Sequence, residues 1–275
     1  ISLKTKQMIK TLMKSHYLKE LWALTVNPTN SLEVATGGGD QTLRIWDIKK
    51  HTQKSILFFP EDFRAIDWSS DGKFIVIGTM PGLIYYVDVK TMKSSTAFKS
   101  IFYKENQKKE DKDKWIQELK ISPNAEYVAF GSHCGIGNTF SKIQVLQVTG
   151  NSKNPLKAYL IIDPKITSAL THLDWAEDND RIVCNSLAFE LKYVSLGAKK
   201  VIKSSSCVYE DGMWHTWTCL FGFPVQGIWE PATTNYSVNY TCMNSTYKVI
   251  ATGDDFSKVK LFKSPCVVEH ADYKA

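Results

Sequence analysis

The residue types that carry catalysis occur in this chain, but not in the groupings that catalysis needs. Its six histidines show no H-E-x-x-H or comparable ligand spacing, so they outline no zinc site. His133-Cys134 is the nearest approach to a thiol–imidazole pair, yet adjacent residues of a strand point to opposite faces. Asp254-Asp255 and Glu110-Asp111 are the closest carboxylate pairs. The first falls in a turn between strands, and the second alternates with lysines that would repel a cation. His16 and Asp40 offer a histidine with a carboxylate. The run Cys134-Gly135-Ile136-Gly137-Asn138-Thr139 is no phosphate cradle, because no strand-to-helix context follows it. Lacking a nucleophile beside a base, paired carboxylates or a metal cluster, the chain reads as a non-enzyme with no cofactor and no metal.

The composition bounds the class. The 275 residues are 43% hydrophobic, enough to bury a core and too apolar for disorder. No apolar run reaches the roughly 18 residues of a membrane span, and no signal segment opens the chain. A net charge of +6 favours acidic partners without naming one. Cys134, Cys184, Cys207, Cys219, Cys242 and Cys266 include no C-x-x-C pair and sit in or beside apolar runs, which suits reduced, buried thiols. The sequons at Asn235, Asn239 and Asn244 read as chance triplets in a protein that is not secreted. The chain opens on Ile1, with the repeat already running, and is read as a piece of a longer polypeptide.

A repeat positions these residues. Ala23-Leu24-Thr25-Val26-Asn27-Pro28, Ala65-Ile66-Asp67-Trp68-Ser69-Ser70-Asp71-Gly72, Glu118-Leu119-Lys120-Ile121-Ser122-Pro123-Asn124 and His172-Leu173-Asp174-Trp175-Ala176 are versions of one strand and turn. Each precedes a second apolar strand ending in Gly37, Gly78, Gly131 or Asn185, and then an alternating third. From Gly37 to Gly78 is 41 residues, within the roughly 40–45 of a WD-repeat blade. The fold class expected is therefore all-β, a WD-repeat β-propeller. The first blade carries the fullest signature in His16, Thr36, Asp40 and Trp46-Asp47. That spacing makes His16, Thr36, Asp40 and Trp46 a buried hydrogen-bond network of the blade rather than a catalytic pair. Later blades place Val87-Asp88, Leu146-Gln147 and Val194-Ser195 at the Trp-Asp position, so apolar packing between blades must replace the polar chain there.

Blades are expected at about 15–50, 60–91, 115–150, 166–200 and 214–265, all in one propeller segment. The step from Gly78 to Gly131 is 53 residues, and its excess coincides with the charged run 104–114, a solvated rim loop. From Asn185 to Gly253 is 68 residues, where extra strands are expected at 217–222 and 225–229. The count is about five blades plus an opening strand at 8–13. That is fewer than the roughly six to eight of a common closed ring, so an incomplete ring is expected from this segment.

The run Trp214-His215-Thr216-Trp217-Thr218-Cys219-Leu220-Phe221-Gly222-Phe223, then Gly227-Ile228-Trp229, then Gly253-Asp254-Asp255-Phe256-Ser257-Lys258-Val259-Lys260-Leu261-Phe262-Lys263-Ser264-Pro265-Cys266, is more specific. It resembles the second propeller of the echinoderm microtubule-associated protein-like family, and the likeness runs through almost the whole chain. Two segments depart from it: Glu230-Pro231-Ala232-Thr233-Thr234-Asn235-Tyr236 replaces a Gly- and acid-rich loop, and Leu187-Ala188-Phe189 a Gly-Asp-aromatic turn. The chain therefore looks like a divergent member.

The resemblance implies tandem propellers in the whole protein and a non-catalytic scaffold on microtubules. It also implies tubulin or axonemal partners, a cytoplasmic, cytoskeletal or ciliary location, and neither nucleic acid nor membrane as partner. The competing expectation is a propeller adaptor in a soluble complex without tubulin contact. Lys104, Lys108, Lys109, Lys112 and Lys114 offer an electrostatic contact to tubulin's acidic surface. Glu105, Glu110, Asp111 and Asp113 cut their net charge to +1, which favours a self-paired, solvated loop.

Overall fold

The second and third repeats turn on a short polar side chain that takes the place of a backbone acceptor. Ser69 Oγ donates to Asp71 Oδ1 at 2.7 Å and accepts from the amides of Lys73 and Phe74, while Gly72 supplies the positive φ of 73°. Ser122 repeats the device with Asn124 at 2.6 Å and the amide of Tyr127 at 3.0 Å. Between such turns the alternating and β-branched runs form strands. A computed structural model describes residues 16, 18–95, 98–101, 103, 115–133, 142–202, 214–229, 238–244, 246 and 248–275.

The described residues form five antiparallel sheets, the blades of a propeller. The first is β1 (Leu21–Val26), β2 (Glu33–Gly38), β3 (Thr42–Asp47) and β4 (Thr52–Phe58). The second is β5 (Phe63–Trp68), β6 (Phe74–Thr79), β7 (Leu83–Asp88) and β8 (Lys93–Ser94), with β9 (Phe98–Lys99) also on β7. The third holds β10 (Ile116–Ile121), β11 (Tyr127–Ser132), β12 (Ile143–Val148) and β13 (Leu156–Ile162). The fourth holds β14 (Leu170–Trp175), β15 (Arg181–Ser186), β16 (Leu191–Ser195) and β17 (Lys200–Ile202). The fifth is three-stranded: β18 (Val238–Asn244), β19 (Val249–Asp254) and β20 (Val259–Lys263). β4, β8, β9 and β13 lie beyond the blade limits drawn from the sequence. They carry no clean alternation because little of them is buried on either face.

Strands β1, β5, β10 and β14 stand side by side as the innermost strands of successive blades. The repeat's glycine makes that approach possible. A Cβ on Gly37 would lie 2.1 Å from Phe63, one on Gly78 2.5 Å from Ile116, and one on Gly131 2.7 Å from Leu170. The residue filling each gap is the first of the next innermost strand, so every blade dovetails into its neighbour. The buried core accordingly lies between blades rather than within them.

All five innermost strands share one irregularity. Pairing skips a residue between Leu21 and Ala23, Phe63 and Ala65, Ile116 and Glu118, Leu170 and His172, and Val238 and Tyr240. Each skipped residue is a bulge, which turns its side chain out of the ladder and twists the strand.

Three expectations are corrected. Residues 217–222 and 225–229 are not strands: the first run is irregular and Phe223–Ile228 is a 3-10 helix led by Pro224. Gly222, at φ 141°, has no room for a Cβ, which would meet the Trp217 ring at 2.3 Å. Cys242 is exposed rather than buried, and Trp46 is half-buried rather than enclosed. The strand expected at 8–13, the runs 104–114 and 134–139, and Cys134 and Cys207 lie outside the described residues.

Candidate functional site

His16, ahead of β1, meets the blade through both ring nitrogens. Nδ1 lies 2.8 Å from Asp40 Oδ2 and Nε2 lies 2.8 Å from Thr36 Oγ1. Trp46 Nε1 donates to the same Thr36 oxygen at 2.7 Å. A consistent chain follows: indole to hydroxyl, hydroxyl to Nε2, and Nδ1–H to carboxylate. Asp40 also accepts from Thr42 Oγ1 at 2.9 Å and lies 3.3 Å from Arg44 Nη2. Burial opposes its charge, but the bonds from Thr42 and His16 prevail and hold the carboxyl below the ordinary range. These contacts engage both carboxylate oxygens within the blade. Lys104, Lys108, Lys109, Lys112 and Lys114 lie outside the described residues.

A second polar cluster lies where the innermost strands converge. After the bulge, the third and fifth positions read Ala23 and Thr25, Ala65 and Asp67, Glu118 and Lys120, His172 and Asp174, Tyr240 and Cys242. Asp67 accepts the amide of Ile121 from the next blade at 2.7 Å. Asp174, fully buried, accepts the amides of Thr218 and Cys219 at 2.7 and 3.0 Å and the hydroxyl of Thr216 at 2.7 Å. Lys120 Nζ lies 3.7 Å from Glu118 Oε1. Burial pushes the Glu118 carboxyl up to about 7. Burial, seconded by Lys120, pushes the His172 imidazole down to about 4. Burial also works against charge on Lys120, but Tyr240, Glu118, Asp67 and Asp174 around it hold its pKa above the ordinary value. Asp67 and Asp174 thus fasten their blades to the segments that follow.

Of the carboxylate pairs the sequence raised, Asp254-Asp255 is described and its oxygens are engaged. Asp254 Oδ1 takes the amides of Phe256 and Lys258 in its own turn at 2.9 and 3.0 Å, and Asp255 takes the Asn239 amide at 2.6 Å. Burial pushes the Cys184 thiol up to about 12 and raises that of Cys219 well above its ordinary value, which keeps both from being nucleophilic thiolates. Among the described residues, no three His, Cys, Asp or Glu side chains group as metal ligands.

The 214–229 segment fills the space between the fourth and fifth blades. Trp214, Trp217, Cys219, Val225 and Ile228 pack with Val183, Tyr193, Ile250 and Phe262 in one core. Asn185 replaces the glycine of earlier blades because no strand dovetails there. Its Oδ1 instead accepts the amide of Phe221 at 2.9 Å. Gly227 is held against the chain after β20, where a Cβ would lie 2.2 Å from Val268 O.

Sequence reasoning did not single out Trp22, Arg64 and Trp115, which stack at the bulged ends of the first three innermost strands. It also passed over Glu118, Lys120 and His172, although aligning the innermost strands places them at matching positions.

Antiparallel blades dovetailed through glycines, with a His–Thr–Trp–Asp network in the first, define a β-propeller of the WD-repeat type. Residues 21–275 match the family model "Echinoderm microtubule-associated protein second beta-propeller". The chain belongs to that family. It is 29% identical over 262 residues to the 77 kDa echinoderm microtubule-associated protein of Lytechinus variegatus, covering 95% of this chain and 36% of that one. It is 28% identical to human echinoderm microtubule-associated protein-like 3, covering 90% of this chain and 25% of the relative. For human echinoderm microtubule-associated protein-like 2 the identity is 27%, over 93% and 36%. The chain thus spans a quarter to somewhat over a third of these relatives' length.

Proposed function

We propose that this chain is a non-catalytic propeller module of a microtubule-associated scaffold, binding tubulin or proteins of cytoplasmic or axonemal microtubules. The observation that carries the reading is the family match over 21–275, together with relatives named for microtubule association. Polar groups support it: the first-blade network and the carboxylates of Asp67 and Asp174 are engaged in clasps, as suits a rigid binding surface. The His16–Thr36–Trp46–Asp40 network serves in this reading to fix the first blade's register. No helix among the described residues is long and apolar enough to cross a membrane, and the reading includes neither membrane nor nucleic acid as partner.

The test is co-sedimentation of the full-length protein with taxol-stabilised microtubules, with localisation of a tagged copy in ciliated cells. Saturable pelleting is the expected result. Failure to pellet, with recovery in a soluble complex lacking tubulin, would put an adaptor role in its place.

A further inference from the structure

The bulges at the start of the first three innermost strands aim their side chains at one another. Trp22 is the skipped residue of β1, Arg64 of β5 and Gln117 of β10. The Arg64 guanidinium carbon stands 3.7 Å from the centre of the Trp22 ring and 4.4 Å from that of Trp115. Trp115 is fixed in turn, donating its Nε1–H to Gln117 Oε1 at 2.6 Å and packing at a tilt on His133 with ring centres 4.6 Å apart. Three blades thus bring one cation against two indoles.

What the guanidinium lacks, among the described residues, is a bonded anion. Among the described residues it makes no hydrogen bond and no ion pair, and Glu20 acts on it only from a distance, opposing the effect of burial. Two indole rings pack on it and take part of its surface from water, while Arg64 stays partly exposed. A guanidinium held against aromatic rings is pre-organised for two parallel hydrogen bonds to a carboxylate. Its partial desolvation strengthens such a bond, and the bond offsets the cost of leaving the charge unpaired. Trp22, still 51% exposed, offers an apolar flank beside it. Tryptophan and arginine side by side are the residues that dominate binding energy in protein interfaces.

We propose that Trp22, Arg64 and Trp115 form a carboxylate-binding site, and that its ligand is an extended acidic peptide segment of a partner protein. One Asp or Glu side chain of that segment meets the edge of Arg64, and a neighbouring residue covers Trp22. The net charge of +6 draws such a segment in. This goes beyond the microtubule reading, since the site takes an acidic segment whichever protein supplies it.

The experiment is fluorescence anisotropy of a fluorescein-labelled hexaglutamate peptide with the full chain, at low and at raised salt. Arg64→Gln should weaken binding about tenfold or more, and Trp22→Ala several-fold. Lys153→Gln, which removes the same charge at an exposed position, should change it less than about twofold. Arg64→Lys keeps the charge but loses the planar fork, so it should fall between wild type and Arg64→Gln. Equal losses in Arg64→Gln and Lys153→Gln would show diffuse attraction and overturn the site. So would the absence of wild-type binding at millimolar peptide. If Arg64→Gln does not fold, Trp22→Ala decides, because it leaves every charge in place; unchanged affinity there overturns the proposal. Displacement of the peptide by inorganic phosphate at far lower concentration than by acetate would make the ligand a phosphate and sink the carboxylate assignment. Peptide binding that depends on Arg64 in a protein that ignores microtubules would fell only the microtubule reading.

Discussion

Replacing His172 with phenylalanine should change how stability depends on pH while leaving the fold intact. The imidazole is buried, its Nδ1 has no hydrogen-bond partner among the described residues, and its ring lies 5.6 Å from that of Tyr240. Burial first and Lys120 second hold its pKa at about 4, against about 6.5 in an unfolded chain. Between those values the unfolded state binds the proton and the folded state does not. Stability from this group is therefore present above about pH 6.5 and is lost on acidification. At about 1.4 kcal/mol per tenfold, the loss is roughly 2 kcal/mol by about pH 5 and roughly 3 kcal/mol below pH 4.

Glu118 works in the opposite direction over nearly the same window. Its carboxyl titrates at about 7 in the folded state and at about 4.3 unfolded. Here the folded state keeps a proton that the unfolded state has released, so stability falls as pH rises, again by roughly 3 kcal/mol. In the native sequence the two slopes largely offset each other, and stability should vary little from about pH 5 to about pH 7 on their account. His172→Phe keeps the ring packing, removes one slope and exposes the other, so the variant should be more stable near pH 5 than near pH 7.5. Urea unfolding at several pH values, extrapolated to water, measures this directly. Parallel curves for native and variant proteins would refute the placement of His172 as a buried, neutral imidazole.

Thr36→Val removes the oxygen shared by His16 and Trp46 and should cost roughly 2 kcal/mol in urea unfolding. Trp46→Ala should cost about 3 kcal/mol, toward the low end for a large aromatic because the ring is only half-buried. Gly78→Ala should destabilise by about 1–3 kcal/mol through its contact with Ile116. Combined with Ile116→Ala it should cost less than the sum of the two single changes, a coupling that a double-mutant cycle reads. Asp174→Ala strands the amides of Thr218 and Cys219 and should cost at least about 3 kcal/mol by calorimetry. Neutralising Lys104, Lys108, Lys109, Lys112 and Lys114 in the full-length protein should leave microtubule affinity and its salt slope nearly unchanged in co-sedimentation, since the run carries only +1.

The sequence displayed the propeller because its period is a packing requirement. Gly37, Gly78 and Gly131 recur where a Cβ would strike the next blade, and such a requirement marks every repeat. The half-exposed outer strands β4 and β13 left no comparable trace, because no neighbouring blade forces an alternation on them. The 214–229 run misled for a different reason. Its aromatic and apolar residues read as strands, but its amides bond to Asp174, a side chain 44 and 45 residues away, and no local pattern announces such a partner. Cys242 was misplaced because apolar neighbours suggest burial, while its position on β18 leaves it exposed. The Trp22–Arg64–Trp115 stack was illegible for the same reason as the bulges. Which residue a strand skips depends on its pairing partner, not on its own sequence.

The blades are not interchangeable, and the difference explains how the fold survives the loss of its signature. The first blade carries the His–Thr–Trp–Asp chain and has only Ala23 and Thr25 at the axis. The third and fourth lack Trp-Asp but carry Glu118, Lys120, His172 and Asp174 there. The polar stabiliser has moved from within a blade to the seams between blades, where Asp67 and Asp174 reach across to the amides of the following segment. A network inside a blade fixes that blade's register alone, whereas a carboxylate across a seam fixes the angle between two. Loss of Thr36 should therefore act locally, and loss of Asp174 should loosen the fourth blade from the 214–229 segment. Hydrogen exchange can separate the two, since Thr36→Val should deprotect β2 and β3, while Asp174→Ala should deprotect Thr218, Cys219 and the strands on either side of that seam.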